Sequence, residues 1–75
     1  MTLDQLRPGR RASIQQLHGS PDLVQRLYEL GLCEGAEIEV LTIAPLGDPV
    51  EIRCGASRLS LRKQEAAGIH VVDSH

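Results

Sequence analysis

Five side chains in this 75-residue chain could ligate a transition metal: His18, Cys33, Cys54, His70 and His75. A metal centre needs its ligands to converge from closely spaced pairs or from one helix face. None of the five falls into a Cys-x-x-Cys pair or a His-x-x-x-His helix face, and no dense carboxylate loop offers oxygen to a harder cation. Cys54 shares the inward register of Val50 and Ile52 and reads as a core residue. Cys33 follows a helix stop, where partial exposure is expected. His70 is expected to point out of the last strand, and His75 to lie on a mobile tail. Nucleophilic catalysis has no better footing, because no Ser or Cys has a nearby His with an orienting acid at a recognisable spacing. Gly31 and Gly35 follow a helix, whereas a phosphate cradle precedes one; they read as turn glycines. The expectation is a protein without catalytic residues, metal or cofactor.

The elements that must position these side chains are legible from Ser20 onward. Ser20 suits a helix cap, Pro21 the first helical position, and Asp22 the positive end of the helix dipole. Leu23, Leu27 and Leu30 recur at helical spacing, with Val24 and Tyr28 widening the stripe. Gly31 permits the left-handed turn that stops a helix, and a Schellman ending would fold Leu32 back onto Leu27. A helix this short is marginal alone and must dock on something.

The remainder supplies a sheet. Leu3 and Leu6 can pack from a single turn before the Pro8-Gly9 turn dipeptide. Arg10 to His18 reads as a first strand with Ala12 and Ile14 on one face. Glu37-Ile38-Glu39-Val40 alternates as a half-buried strand should, and the slip through Leu41-Thr42-Ile43 predicts a bulge or a stretch covered on both faces. Pro45-Leu46-Gly47-Asp48-Pro49 is a turn cluster. Val50, Ile52 and Cys54 alternate with Glu51 and Arg53. Gly55-Ala56 predicts a tight hairpin into Arg58-Leu59-Ser60-Leu61, with Leu59 and Leu61 inward. Arg62 to Ala67 forms a second helical turn ended by Gly68, and Ile69 to Val72 a last strand. About five short strands and one real helix predict a mostly β chain closing into a small barrel, since a short open sheet would expose its edges.

Composition narrows the function. The whole chain is expected to be one domain, residues 1–75, and a chain of this length buries only about 60% of its unfolded surface, which leaves no room for a deep pocket. Hydrophobic residues make up 41% and charged residues 24%, values that suit a soluble globular chain and argue against disorder. A net charge of −2 gives no steering toward nucleic acid or an anionic membrane. The first residues lack the apolar core of a signal peptide, and Val40 to Leu46 is too short and broken to span a bilayer. A cytoplasmic protein with reduced thiols is expected.

Four motifs in order give a more specific lead: Leu6-x-Pro8-Gly9; Arg26-Leu27-x-Glu29-Leu30-Gly31-Leu32-x-x-Gly35-x-x-Ile38-x-Val40; Ala44 through Pro49; and Leu59-Ser60-Leu61-Arg62-Lys63-x-Glu65-Ala66. In these the chain resembles the FeoA family, small cytosolic partners of the bacterial ferrous-iron transporter FeoB, over nearly its whole length. The resemblance implies a barrel of the Src-homology-3 type with an inserted helix. It also implies a role in ferrous iron uptake through docking on the cytosolic side of FeoB, either on its guanine-nucleotide domain or near its membrane core. The same domain type occurs behind the DNA-binding parts of iron-dependent repressors, so regulatory docking on such a repressor, or self-association, is the alternative. An arginine offered in trans, from Arg26, Arg58 or Arg62, would be the means of acting on GTP hydrolysis.

Surfaces must then carry the function. The peptide grooves of Src-homology-3 barrels are lined by aromatic side chains. This chain has no Trp or Phe, and its one Tyr is assigned to the helix face. Two contact sites are expected instead. The first is the loop Ala44 to Pro49, in which Pro45 and Pro49 stiffen a turn displaying Leu46 and Gly47 is structural; the second is a basic cluster of Arg58, Arg62 and Lys63, joined by Arg26. Leu27, Leu30, Gly31, Leu32 and Gly35 are expected to be structural.

Overall fold

Wherever turn residues bracket a period-two pattern, the chain forms a strand. In the computed structural model, which describes residues 1–74, there are five: β1 (Arg11–Leu17), β2 (Glu37–Ile43), β3 (Val50–Cys54), β4 (Ser57–Leu61) and β5 (Ile69–Ser74). They build one sheet in the order β4-β3-β2-β1-β5, every neighbouring pair antiparallel. Helix α1 (Pro21–Glu29) joins β1 to β2, and the short helix α2 (Lys63–Ala66) joins β4 to β5. A 3-10 turn at Leu3–Gln5 buries Leu3, and Leu6 follows it into the core. The tail expectation for His75 lies outside the described residues.

All five strands send side chains into a single aliphatic cluster, from Ala12 and Ile14 in β1 to Ile69 and Val71 in β5. One sheet can do that only by curling around its own inner face. Two irregularities supply bend: the register slips between Ile14 and Gln16 against β5, and between Val40 and Thr42 against β3. The second is the bulge expected around Leu41. The two-residue turn Gly55-Ala56 sets Cys54 opposite Ser57, with Gly55 at φ +60°, as a primed hairpin turn requires. The curled sheet closes by packing alone, because β4 and β5 remain its two unbonded ends.

Helix α1 has the ends its sequence predicts. Ser20 Oγ accepts a hydrogen bond from the Leu23 N–H at 3.2 Å. At the other end the Leu32 N–H donates to Leu27 O at 2.9 Å and the Gly31 N–H to Tyr28 O at 3.0 Å, the two bonds of a Schellman ending. Gly31 stands at φ +89° with open space where a Cβ would project. Gly31→Ala therefore meets no clash and feels backbone strain only. We expect a loss of about 1 kcal/mol, read as a lower urea midpoint at unchanged slope.

The apolar stripe is narrower than its spacing predicts. Leu27 is fully buried and Leu23 and Val24 half-buried, whereas Tyr28 and Leu30 are 44% and 41% exposed. The reason is the helix stop. Leu30 already sits in the C-cap, and the Schellman turn delivers Leu32 into the core in its place. Tyr28 instead lies on the surface with its hydroxyl on a carboxylate.

Candidate functional site

The loop from Ala44 to Pro49 is held at both of its levels. The Gly47 N–H donates to Ala44 O at 2.7 Å across a turn with Pro45 in its second position, and the Ala44 N–H donates to Pro49 O at 3.1 Å. Pro45 fixes one φ of that turn, and Gly47 takes φ +83°. The Asp48–Pro49 peptide is cis. Leu46, at the turn's outer corner, is 91% exposed. A leucine held this far out of the core by a rigid turn loses little freedom when a partner covers it.

Asp48 fastens this loop to the start of α2. Its Oδ1 accepts the Lys63 N–H at 3.1 Å, and its Oδ2 lies 3.6 Å from Arg62 Nη1. The Lys63 side chain runs beside Gly47, where a Cβ would meet Nζ at 3.7 Å. Leu46, Arg62 and Lys63, read from sequence as two sites, are thus neighbours on one surface.

Glu65 ties the same surface to α1. Its Oε1 accepts the Arg62 N–H at 2.9 Å, capping α2, while its Oε2 accepts from the Arg26 guanidinium. A shallow open groove runs between the two helices, lined by Ser20, Asp22, Leu23, Arg26, Gln64 and Glu65. Arg58 stands apart on the outer face of the sheet, where its Nη2 donates to Glu51 at 2.8 Å. The anticipated basic cluster is therefore largely neutralised: each of its three arginines faces a carboxylate, and Lys63 takes part in none of the ion pairs among the described residues. Exposed pairs of this kind are worth about 0–1 kcal/mol and exchange readily for a partner's charges. Asp48 and Glu65 stand in the sequence motifs, but their role in tying the loop and α1 to α2 escaped the sequence reading, although the Arg62-x-x-Glu65 spacing is that of a capping box.

The remaining chemistry-bearing side chains sit elsewhere. His70 points outward from β5 between the inward Ile69 and Val71, and there it is half-buried, meeting His18 edge-to-face with ring centroids 4.7 Å apart. Among the described residues no group of three or more His, Cys, Asp and Glu side chains converges to hold a metal. Cys54 is half-buried at the core's rim, its Sγ donating to Gly31 O at 3.7 Å. Burial, with a smaller contribution from nearby Cys33, pushes its thiol pKa up. Cys33 is exposed.

The Tyr28 hydroxyl donates to both carboxylate oxygens of Glu34, at 2.7 and 2.9 Å. That bond holds the proton on the phenol and keeps Glu34 charged, so the Tyr28 pKa is raised and that of Glu34 lowered. The Glu34 contribution to stability is present above the ordinary glutamate range and lost as pH falls through its lowered value; that of Tyr28 is present below the ordinary tyrosine range and lost as pH rises through its raised value. With one aromatic residue in the chain, the ultraviolet phenolate band reports Tyr28 alone. We expect it to titrate above the usual tyrosine range, and Glu34→Gln to bring the midpoint back down. Coincident titrations for the two proteins would contradict the bond.

Comparison with known proteins joins these observations. A family profile of the FeoA domain matches residues 1–73. A fusion protein of Porphyromonas gingivalis, Fe(2+) transport protein A joined to Fe(2+) transporter FeoB, is 38% identical over 71 residues; these are 95% of this chain and 8% of that one. The chain thus spans a small part of that relative's length. The solution structure of a FeoA protein from Chlorobium tepidum superposes with a TM-score of 0.90 at 44% identity, over 95% of this chain and 68% of that one. A zinc-complexed FeoA of Stenotrophomonas maltophilia, described as a prokaryotic SH3 domain protein, gives 0.80 at 33% identity, over 96% and 89%.

Proposed function

Because this chain belongs to the FeoA family, whose domain is an SH3-like barrel involved in ferrous iron transport, we propose that it acts as a binding module that docks on the cytosolic part of a FeoB-type transporter. Support for the partner comes from the Porphyromonas gingivalis relative, in which the two proteins share one polypeptide. Support for the face comes above all from Leu46, exposed on a loop fixed at its base. In this reading the module works in the cytoplasm and has no turnover of its own. No helix among the described residues is long and apolar enough to cross a membrane.

Leu46 enters an apolar recess of the partner, while Lys63 and the weakly engaged Arg62 meet carboxylates or phosphates at the rim. Arg62 is the arginine best placed to act on a bound nucleotide: its side chain is 71% exposed and its partner is 3.6 Å away. Two measurements test the reading. Immobilised chain is expected to retain the transporter's purified cytosolic domain, and failure to retain it removes the proposal. GTP turnover by that domain is then measured with and without the chain; an unchanged rate leaves docking in place and discards the arginine's role.

A further inference from the structure

The sheet ends on two edges, and among the described residues one is covered. Along β5 the beginning of the chain lies alongside: Thr2 bridges His70, and the Val71 N–H donates to Met1 O at 2.9 Å. Among the described residues no such cover lies along β4. Cys54 and Ser57 flank a two-residue turn and exchange hydrogen bonds, and the alternation of an antiparallel ladder then directs Leu59 and Leu61 toward β3 as well. The peptide groups of Arg58 and Ser60 point the other way. Among the described residues neither has a backbone partner outside the hairpin. Of the devices that blunt an edge, β4 has neither a proline nor a break in its register with β3, although it is short and carries Arg58.

We propose that this edge is an interface between two copies of the chain, β4 pairing antiparallel with β4 of a second copy about a two-fold axis at Leu59. Charge placement leaves a second copy one register free of like-charge contacts. Pairing requires the outward groups of Arg58 and Ser60 to face outward groups of the other strand, which leaves three symmetric registers. With the axis at Arg58, that arginine faces itself. With the axis at Ser60, Arg58 faces Arg62 twice. Only the axis at Leu59 sets Arg58 opposite Ser60, twice, and so keeps like charges from facing each other. It also lays Leu59, half-buried against the core's rim, against its own copy. The result is a continuous sheet through both molecules. The pairing uses strands of five residues, so it is weak and reversible.

Sedimentation equilibrium of the chain alone, over a concentration series at low salt, reads this directly and independently of any transporter. The average mass is expected to climb from one copy toward two. Ser60→Pro removes an N–H that faces solvent in the single copy, so the fold tolerates it and association is lost. Ser60→Lys and Ser60→Glu keep that N–H and carry the test whether or not the proline variant folds. Lysine opposite Arg58 is expected to weaken association about 2- to 30-fold and glutamate to tighten it by a similar factor, since each cross-strand pair occurs twice. One copy at every concentration, or equal association by the lysine and glutamate variants, overturns the proposal.

Discussion

Leu46→Asp is expected to weaken binding to the transporter's cytosolic part by about 30-fold or more while leaving stability within about 0.5 kcal/mol of the parent chain. The first figure is that of an interface anchor, for which truncation costs about 2 kcal/mol or more; a carboxylate also has to be desolvated in the recess that held the leucine. The second follows from exposure. At 91% exposed, Leu46 contributes almost nothing to the core, and the turn is fixed by Pro45, Gly47 and the Asp48 bonds to α2. Calorimetric titration and urea unfolding of the same preparation separate the two quantities. Equal affinities would remove the loop from the contact. Parallel losses of affinity and stability would mean that the loop holds the fold together.

Leu27→Ala has the largest expected effect on stability, a loss of about 2–5 kcal/mol. Leu27 is fully buried, is the one buried residue of α1 and accepts the Schellman bond from Leu32. Few other side chains can fill the space it leaves, because in a barrel this small all the large buried residues belong to one cluster. A loss of that size approaches the whole margin of a 75-residue domain, so the variant is expected to be substantially unfolded at 37 °C. Leu30→Ala is the informative control. Spacing alone puts the two leucines on one stripe, yet Leu30 is 41% exposed, and its truncation is expected to cost about 1 kcal/mol or less. Equal losses, read from denaturant midpoints, would contradict the helix orientation described above.

Those two leucines also mark how far the sequence could be read. Local physics was legible wherever one or two residues decide it: the Ser20 cap, the left-handed turn at Gly31, the slip near Leu41, the hairpin at Gly55-Ala56. The exposure of Tyr28 and Leu30 was not, because a stripe on a helical wheel does not say where the helix stops feeding the core. Nor were the arginine partners. Arg26 reaches Glu65 across 39 positions, and Arg62 leans back on Asp48, so the basic cluster of the composition becomes a set of paired charges once folded. The uncovered β4 edge depends on which strands become neighbours, and local alternation holds no record of that order.

The central claim is that the joined surface of the 44–49 loop and the start of α2 is the face that meets the transporter. Amide chemical-shift mapping of the folded chain, titrated with the cytosolic part of a FeoB-type transporter, tests it residue by residue. The largest perturbations are predicted at Leu46, Gly47 and Lys63, spreading to Arg26 through Glu65. A spectrum left unchanged at saturating transporter, or changes confined to other faces of the barrel, would contradict it.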